Sequence, residues 1–387
     1  MYSFPVMRAV WSLFFLVTAI PCLAQSKSFN QIAKDAEIAR INNRAGDALR
    51  LYNAGLRMRP GWSEGWWDFA TLLYDQDRFS EAQKAFQRFI ALTPKRGPAY
   101  AFLGLCEYET QDYDSALRHF RAWASSGWAG TPELLDVSVF HFALLLTRDG
   151  EFVRALYLFA PEAAKAGNDP TLAEAMGLAA LRMPNLPEDY DPRKREMVWL
   201  AGEAAVYEAQ QPHDFSRAEE YAARLVSRYS QEPEAHYFRG TLFSLENKND
   251  AAEQEYRQVL QRSPQHVPAL IALAAIDLDK NELAEATQFA RQSVEREPHN
   301  AEAHHVLGRV LMASRQFEAS AKELEAARQL APDSPLVRSH LAMVYNQLGR
   351  SEQAKQELAV FLRLKNQEGI LSPPDERLRS RASEKAQ

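Results

Sequence analysis

Cysteine is nearly missing from this chain of 387 residues: there are two, Cys22 and Cys106. A disulfide framework is therefore excluded, and stability has to come from packing. The chain also lacks a glycine-rich phosphate loop, a Gly-x-Ser-x-Gly turn and a His-Glu-x-x-His helix. The common signatures of nucleotide binding, serine hydrolysis and zinc peptidase chemistry go with them. Charge of one sign is lacking too. The net charge of −6 is spread over interleaved acids and bases, without the basic stripe that nucleic acid requires. The apolar run at 9–20 contains Ser12 and Thr18 and ends at Pro21, short of the roughly 20 residues that span a bilayer.

Metal ligation is equally unsupported. Asp277, Asp279 and Asn281 begin like a calcium loop. Glu282 then stands where glycine must turn the chain, and Gln288 where a bidentate carboxylate must sit. The segment reads as a helix end and the turn into the next helix. His304 and His305 are adjacent, so on a helix they point about 100° apart and cannot clamp one ion. No metal, no cofactor and no catalytic residue is expected. The carboxylates lie in ordinary helical surface contexts that single out no acid–base pair.

What the chain has is a period. Pro264, Pro298 and Pro332 are each 34 residues apart, and Pro60 and Pro94 keep the same step. If each unit is counted so that its proline falls at place 32, the unit from Ser63 has Trp66 at place 4, Ala82 at 20 and Phe86 at 24. The unit from Gly97 has Tyr100, Leu103, Gly104, Ala116 and Phe120 at places 4, 7, 8, 20 and 24. The unit from Ala301 has Leu307, Gly308 and Ala327 at 7, 8 and 27. Small residues at 8 and 20 suit a close helix crossing, and bulky ones at 4, 7 and 24 fill space between helix pairs. Proline past the second helix stops it, because it has no N–H and disfavours helix in the residue before it. A step of this length marks an array of helix–turn–helix units.

The pattern resembles the tetratricopeptide repeat, in the form found in exported bacterial proteins. The resemblance covers about residues 29–368 and implies an all-α, right-handed α-solenoid of helix–turn–helix repeats. Regular units are read in a block at 25–169 and in another at 233–368, with an irregular joint at 170–232. Helices near 171–183, 194–209 and 214–229 make the joint odd in number, and Pro184 to Pro192 is too proline-rich to be helical. A charged tail follows at 369–387, which composition marks as disordered. Residues 1–24 read as a signal peptide: Arg8, the apolar run, and Cys22-Leu23-Ala24 before cleavage at Gln25. Cys22 would instead be acylated if the signal were of the lipoprotein type. Only then is a membrane partner expected, and the expected location is the periplasm or the exterior.

Repeat arrays present an extended groove for binding. By resemblance, places 2, 5, 9 and 12 of each first helix line it. Trp67, Thr71 and Tyr74, then Leu105 and Tyr108, then Tyr237 become the expected partner-binding residues, gripping an extended peptide or amphipathic helix. Lysine or arginine at place 5 with asparagine at place 9, which would hold a C-terminal carboxylate, is absent. Trp62 and Trp67 fall off the internal packing places and are expected to be exposed, as aromatic anchors often are before binding. Two readings remain: a scaffold for envelope proteins, or a fixed part of a lipoprotein, pilus or polysaccharide export machine.

Overall fold

The computed structural model describes residues 28–371 except 96, 167 and 168. Among these residues there are nineteen α-helices, one short 3-10 turn and no strand. The segment read as a signal peptide, Cys22 and residues 372–387 lie outside the described residues. The first four pairs are α1 (Phe29–Ile41) with α2 (Ala45–Met58), α3 (Ser63–Tyr74) with α4 (Phe79–Leu92), α5 (Gly97–Glu109) with α6 (Tyr113–Ser125), and α7 (Pro132–Arg148) with α8 (Phe152–Ala166). Three helices follow: α9 (Pro170–Ala180), α10 (Arg195–Ala209) and α11 (Phe215–Arg228). Four more pairs complete the chain: α12 (Pro233–Leu245) with α13 (Asn249–Arg262), α14 (Val267–Asp279) with α15 (Leu283–Arg296), α16 (Ala301–Ala313) with α17 (Phe317–Leu330), and α18 (Pro335–Gln347) with α19 (Ser351–Leu371). Successive pairs stack into an all-α solenoid. Each of the five periodic prolines lies two residues past the end of a second helix, in α2, α4, α13, α15 and α17.

Turns within the units repeat one device. The chain leaves a first helix through a left-handed residue: Asn43, Asp77, Gln111, Gly150, Arg182, Asn247, Asn281, Arg315 and Gly349 all have positive φ. The next N–H then reaches back to a carbonyl five residues earlier, as in Arg78 to Leu73 at 3.0 Å, Glu282 to Asp277 at 2.8 Å and Gln316 to Leu311 at 2.8 Å. This is the six-to-one bond of a Schellman cap, which satisfies an orphan carbonyl and turns the chain sharply.

Place 8 meets place 24 within each pair. A Cβ on Gly104 would come within 2.9 Å of the Phe120 ring, one on Gly240 within 2.7 Å of Tyr256, and one on Gly308 within 2.6 Å of Leu324. Ala82, Ala116, Ala252 and Ala286 at place 20 are fully buried.

Place 4 does more than fill space. Its side chain donates to the carbonyl six residues earlier, at the end of the preceding pair: Trp66 Nε1 to Pro60 at 2.8 Å and Tyr100 hydroxyl to Pro94 at 3.2 Å. His236 Nε2 lies 3.2 Å from the Ser230 oxygen and His304 Nε2 3.0 Å from that of Pro298, while Arg338 donates to Pro332 at 2.9 Å. The three basic members also pair with a carboxylate at place 23: His236 with Glu255 at 2.6 Å, His304 with Glu323 at 2.7 Å and Arg338 with Glu357 at 2.8 Å. Carbonyls in the links between pairs thus receive a donor from the next first helix.

The joint is a three-helix unit in which α10 packs against both α9 and α11. Eleven of the fifteen residues of α10 are buried. Its approach to α9 is backbone on backbone. A Cβ on Gly177 would sit 2.0 Å from the Val198 carbonyl oxygen, and one on Gly202 would sit 1.8 Å from that of Ala173. Only glycine permits that spacing. Between α9 and α10, Pro184–Pro192 runs as a non-helical strap, ending in a 3-10 turn at Pro192–Lys194 that Asp191 caps through the Arg193 N–H at 3.0 Å.

Candidate partner-binding face

At the N-terminal end the expected aromatic residues are half-buried and pack against the core. Trp67 packs on Phe89 and Phe102 with ring centroids 5.2 and 5.7 Å apart, and on Phe86 at 5.9 Å. Trp62 is covered by Phe29 at 5.1 Å and Tyr52 at 5.6 Å, and lies over Gly55 and Gly65. Both indoles are half-buried rather than exposed: glycines at 55 and 65 leave room for one, and α4 and α5 partly cover the other. Phe102, which the place pattern did not single out, is the hub, stacked on Phe86 and edge-on to Tyr74. Thr71 returns its hydroxyl to the Trp67 carbonyl at 3.1 Å. Leu105 is 3% exposed and belongs to the continuous core, out of a partner's reach.

Tyr74 and Tyr108 are half-buried. Burial pushes the Tyr74 phenol up to about 12 and raises that of Tyr108, to which the Glu188 carboxylate adds. Tyr108 lies edge-on to His141 at 4.6 Å and to Tyr113 at 5.3 Å. Here the strap arrives. Tyr113 donates its hydroxyl to Glu188 at 3.4 Å, across 75 residues of sequence, and the Arg148 guanidinium covers the Tyr113 ring at 5.1 Å. Leu186 is fully buried in the same core, and Tyr190 donates to Glu174 of α9 at 2.5 Å.

In the second block Tyr237 is half-buried among Tyr256 at 5.6 Å, His266 at 5.1 Å and the Arg182 guanidinium at 5.6 Å. Arg182 also covers Phe152 at 4.9 Å, so one side chain from the end of α9 touches both α8 and α12. Burial raises the Tyr237 phenol. Place 9 of the four units holds Thr241, Ala275 and Arg309, which are half-buried, and Met343, which is 51% exposed. Beside it His305 Nε2 lies 3.0 Å from His340 Nδ1. Burial, with His340 and Arg309 alongside, holds His305 down at about 4. His304 faces Glu323 and the Pro298 carbonyl instead, so the two adjacent histidines serve different partners. Cys106 is buried, which pushes its thiol up to about 12 and leaves it inert.

A family described as tetratricopeptide repeat matches residues 68–131. The one described as the middle TPR-like domain of cilia and flagella-associated protein 70 matches 197–365. Cellulose synthase 1 operon protein C of Komagataeibacter xylinus is 30% identical over 153 residues, 39% of this chain and 12% of that protein. Cellulose synthase operon protein C of Komagataeibacter sucrofermentans is 28% identical over 173 residues, 44% of this chain and 13% of that protein. The chain thus spans about an eighth of the length of these curated relatives. Among solved structures, MamA from Desulfovibrio magneticus RS-1 aligns over 44% of this chain and 96% of its own, at 17% identity and a TM-score of 0.39. YrrB, described as a TPR protein with an unusual peptide-binding site, aligns over 46% and 88%, at 14% identity and a TM-score of 0.37. Among the described residues no helix is long and apolar enough to cross a membrane.

Proposed function

We propose that this chain, which belongs to the tetratricopeptide-repeat family, is a non-catalytic scaffold that holds segments of partner proteins in the bacterial cell envelope. One observation carries the reading. The place-9 row of the second block, Thr241, Ala275, Arg309 and Met343, is half-buried to exposed while the residues on either side of it in each helix, at places 8 and 10, are buried. A row that presents methyl, guanidinium and thioether in succession beyond Thr241, whose hydroxyl returns to the Tyr237 carbonyl at 3.0 Å, can discriminate one extended segment from another, since each subsite rewards a different side chain. The binding surface is therefore centred on the second block and Tyr237. Trp67, Thr71 and Leu105 support it from within the first block as packing residues.

The test is a photo-crosslinking amino acid placed at Arg309 or Met343 in the native cell. Discrete partners captured there, and absent when the probe sits at the outward-facing Leu358, support the scaffold. Equal capture at both positions refutes it. A second reading draws on the similarity to cellulose synthase operon protein C: a fixed part of an envelope assembly or polysaccharide export machine. A stoichiometric complex that survives purification distinguishes that reading from a transient adaptor, and acylation of Cys22 would place it at a membrane.

A further inference from the structure

The strap at 184–191 lies against the first block, with Glu188 at the Tyr113 hydroxyl of α6. We propose that it is an internal occupant of the first block's inner face. The partner segment that belongs there shares its chemistry: extended, punctuated by proline, with a leucine followed two and three residues later by carboxylates. The inference rests on the scaffold reading and goes further, because it names the partner's chemical class and the competitor it must displace.

Three observations support it. First, the strap does not take the short route. Other first helices pass to their second helices through a turn of about three residues, whereas α9 and α10 are separated by 181–194. That length carries Glu188 to the Tyr113 hydroxyl, beside Tyr108. Second, its attachment is uneven. Leu186 is fully buried and Tyr190 nearly so, but Pro184, Glu188 and Asp189 are exposed. Its own backbone bonds are local: Asn185 N–H to Met183 and Asp189 N–H to Leu186. A buried leucine and tyrosine flanking one exposed carboxylate that meets a tyrosine hydroxyl is how a bound peptide sits on a groove, with apolar pockets and a polar contact that fixes direction. Third, the surface beneath has its own donor. Tyr113 points its hydroxyl at the strap, and the Arg148 guanidinium covers that ring. Acidic segments are the complementary choice.

Tethering gives the strap a millimolar effective concentration, so a partner in trans meets a competitor already in place. The test uses a fluorescein-labelled peptide of residues 183–192, titrated by anisotropy against the full chain. A second protein has 184–191 replaced by eight Gly/Ser residues, and circular dichroism verifies its helix content. It is expected to bind the peptide at least tenfold more tightly than the wild type. Tyr108→Ala in that background, or Leu186→Ser in the peptide, is expected to abolish the gain. Equal binding by the folded strap-replaced chain and the wild type overturns the proposal and makes the strap a structural link. If the replacement does not fold, Glu188→Lys in the full chain serves instead: it keeps the Leu186 anchor and should raise peptide affinity severalfold, and an unchanged affinity overturns the proposal equally. Either failure leaves the crosslinking test at Arg309 and Met343 unaffected, because those residues lie in the other block.

Discussion

Replacing Asp277 should stabilise this protein, and by an amount that depends on pH. Asp277 is fully buried in α14, and neither carboxylate oxygen has a hydrogen-bond partner. Its place in the repeat, place 11, is occupied elsewhere by residues that suit the site. Leu73 and Leu311 pack there, and Glu107 is paired at 2.6 Å with His119 from place 23. In the Asp277 unit, place 23 holds Phe289, so the partner that satisfies Glu107 is missing. Burial, reinforced by Glu253, pushes the carboxyl from its ordinary 3.8 up to about 6. In the unfolded chain the group ionises near its ordinary value, so between the two values the folded chain holds a proton that the unfolded chain has lost. Stability therefore falls as pH rises through this window, and the penalty, about 3 kcal/mol, is complete above about pH 6.

Asp277→Leu removes the buried charge and installs the side chain that place 11 accepts in the next unit. Urea unfolding followed by circular dichroism should find the variant more stable by about 2–3 kcal/mol near pH 7.5. The difference should shrink to below about 1 kcal/mol near pH 4, where wild-type Asp277 is protonated. Asp277→Asn, which keeps the shape without the charge, should gain less because its amide still lacks partners. A leucine variant that is less stable near pH 7.5, or a difference that ignores pH, would show that the carboxylate has a partner in solution and refute the reasoning.

The glycine crossings should rank by what they meet: Gly202→Ala, facing the Ala173 backbone, should cost about 3 kcal/mol or more, and Gly308→Ala, facing the turnable Leu324 side chain, about 1 kcal/mol. Thermal melts that reverse this order would contradict the crossing geometry. Trp67→Ala should lower stability by about 3 kcal/mol, because it empties the space among Phe86, Phe89 and Phe102; a melting temperature close to wild type would return Trp67 to the surface. His305 acts opposite to Asp277: its folded value of about 4 lies below the ordinary 6.5, so it contributes stability above 6.5 that is lost as pH falls toward 4. His305→Gln should flatten that acid-side loss in melts taken across the window, and an unaltered acid slope would count against the His305–His340 contact.

The repeat was legible because its strongest constraints are on residue type. Proline two residues past a helix, glycine or alanine where backbones cross, and an aromatic or leucine opposite them leave few alternatives, and they recur at a fixed step. Surface assignments were less legible, since a place number says which way a side chain leaves its helix but not what the next helix brings to cover it. Trp67 sits at place 5, and Phe102 of α5 and two phenylalanines of α4 then pack against it and leave it half-buried. The α9–α10 contact escaped for a different reason. Gly177 and Gly202 are 25 residues apart, outside the 34-residue period, and a single pair of glycines in apolar helices has no periodic signal.

Place 4 is the instructive case. Trp66, Tyr100, His236, His304 and Arg338 share neither charge nor hydropathy, so a pattern based on residue class sees only a bulky position. What they share is an N–H or O–H at the end of a long side chain, within reach of the carbonyl six residues earlier. The repeat there is of a hydrogen bond, and any side chain that can deliver the donor satisfies it. Leu270 holds the same place without a donor, and in that unit His266, four residues before, pairs with Glu234 of the preceding unit at 3.0 Å instead. The link between units has moved to another residue. Function in such an array is sought in what the packing leaves over once these links are made; the two proposed surfaces are the place-9 row in one block and the strap-covered face in the other.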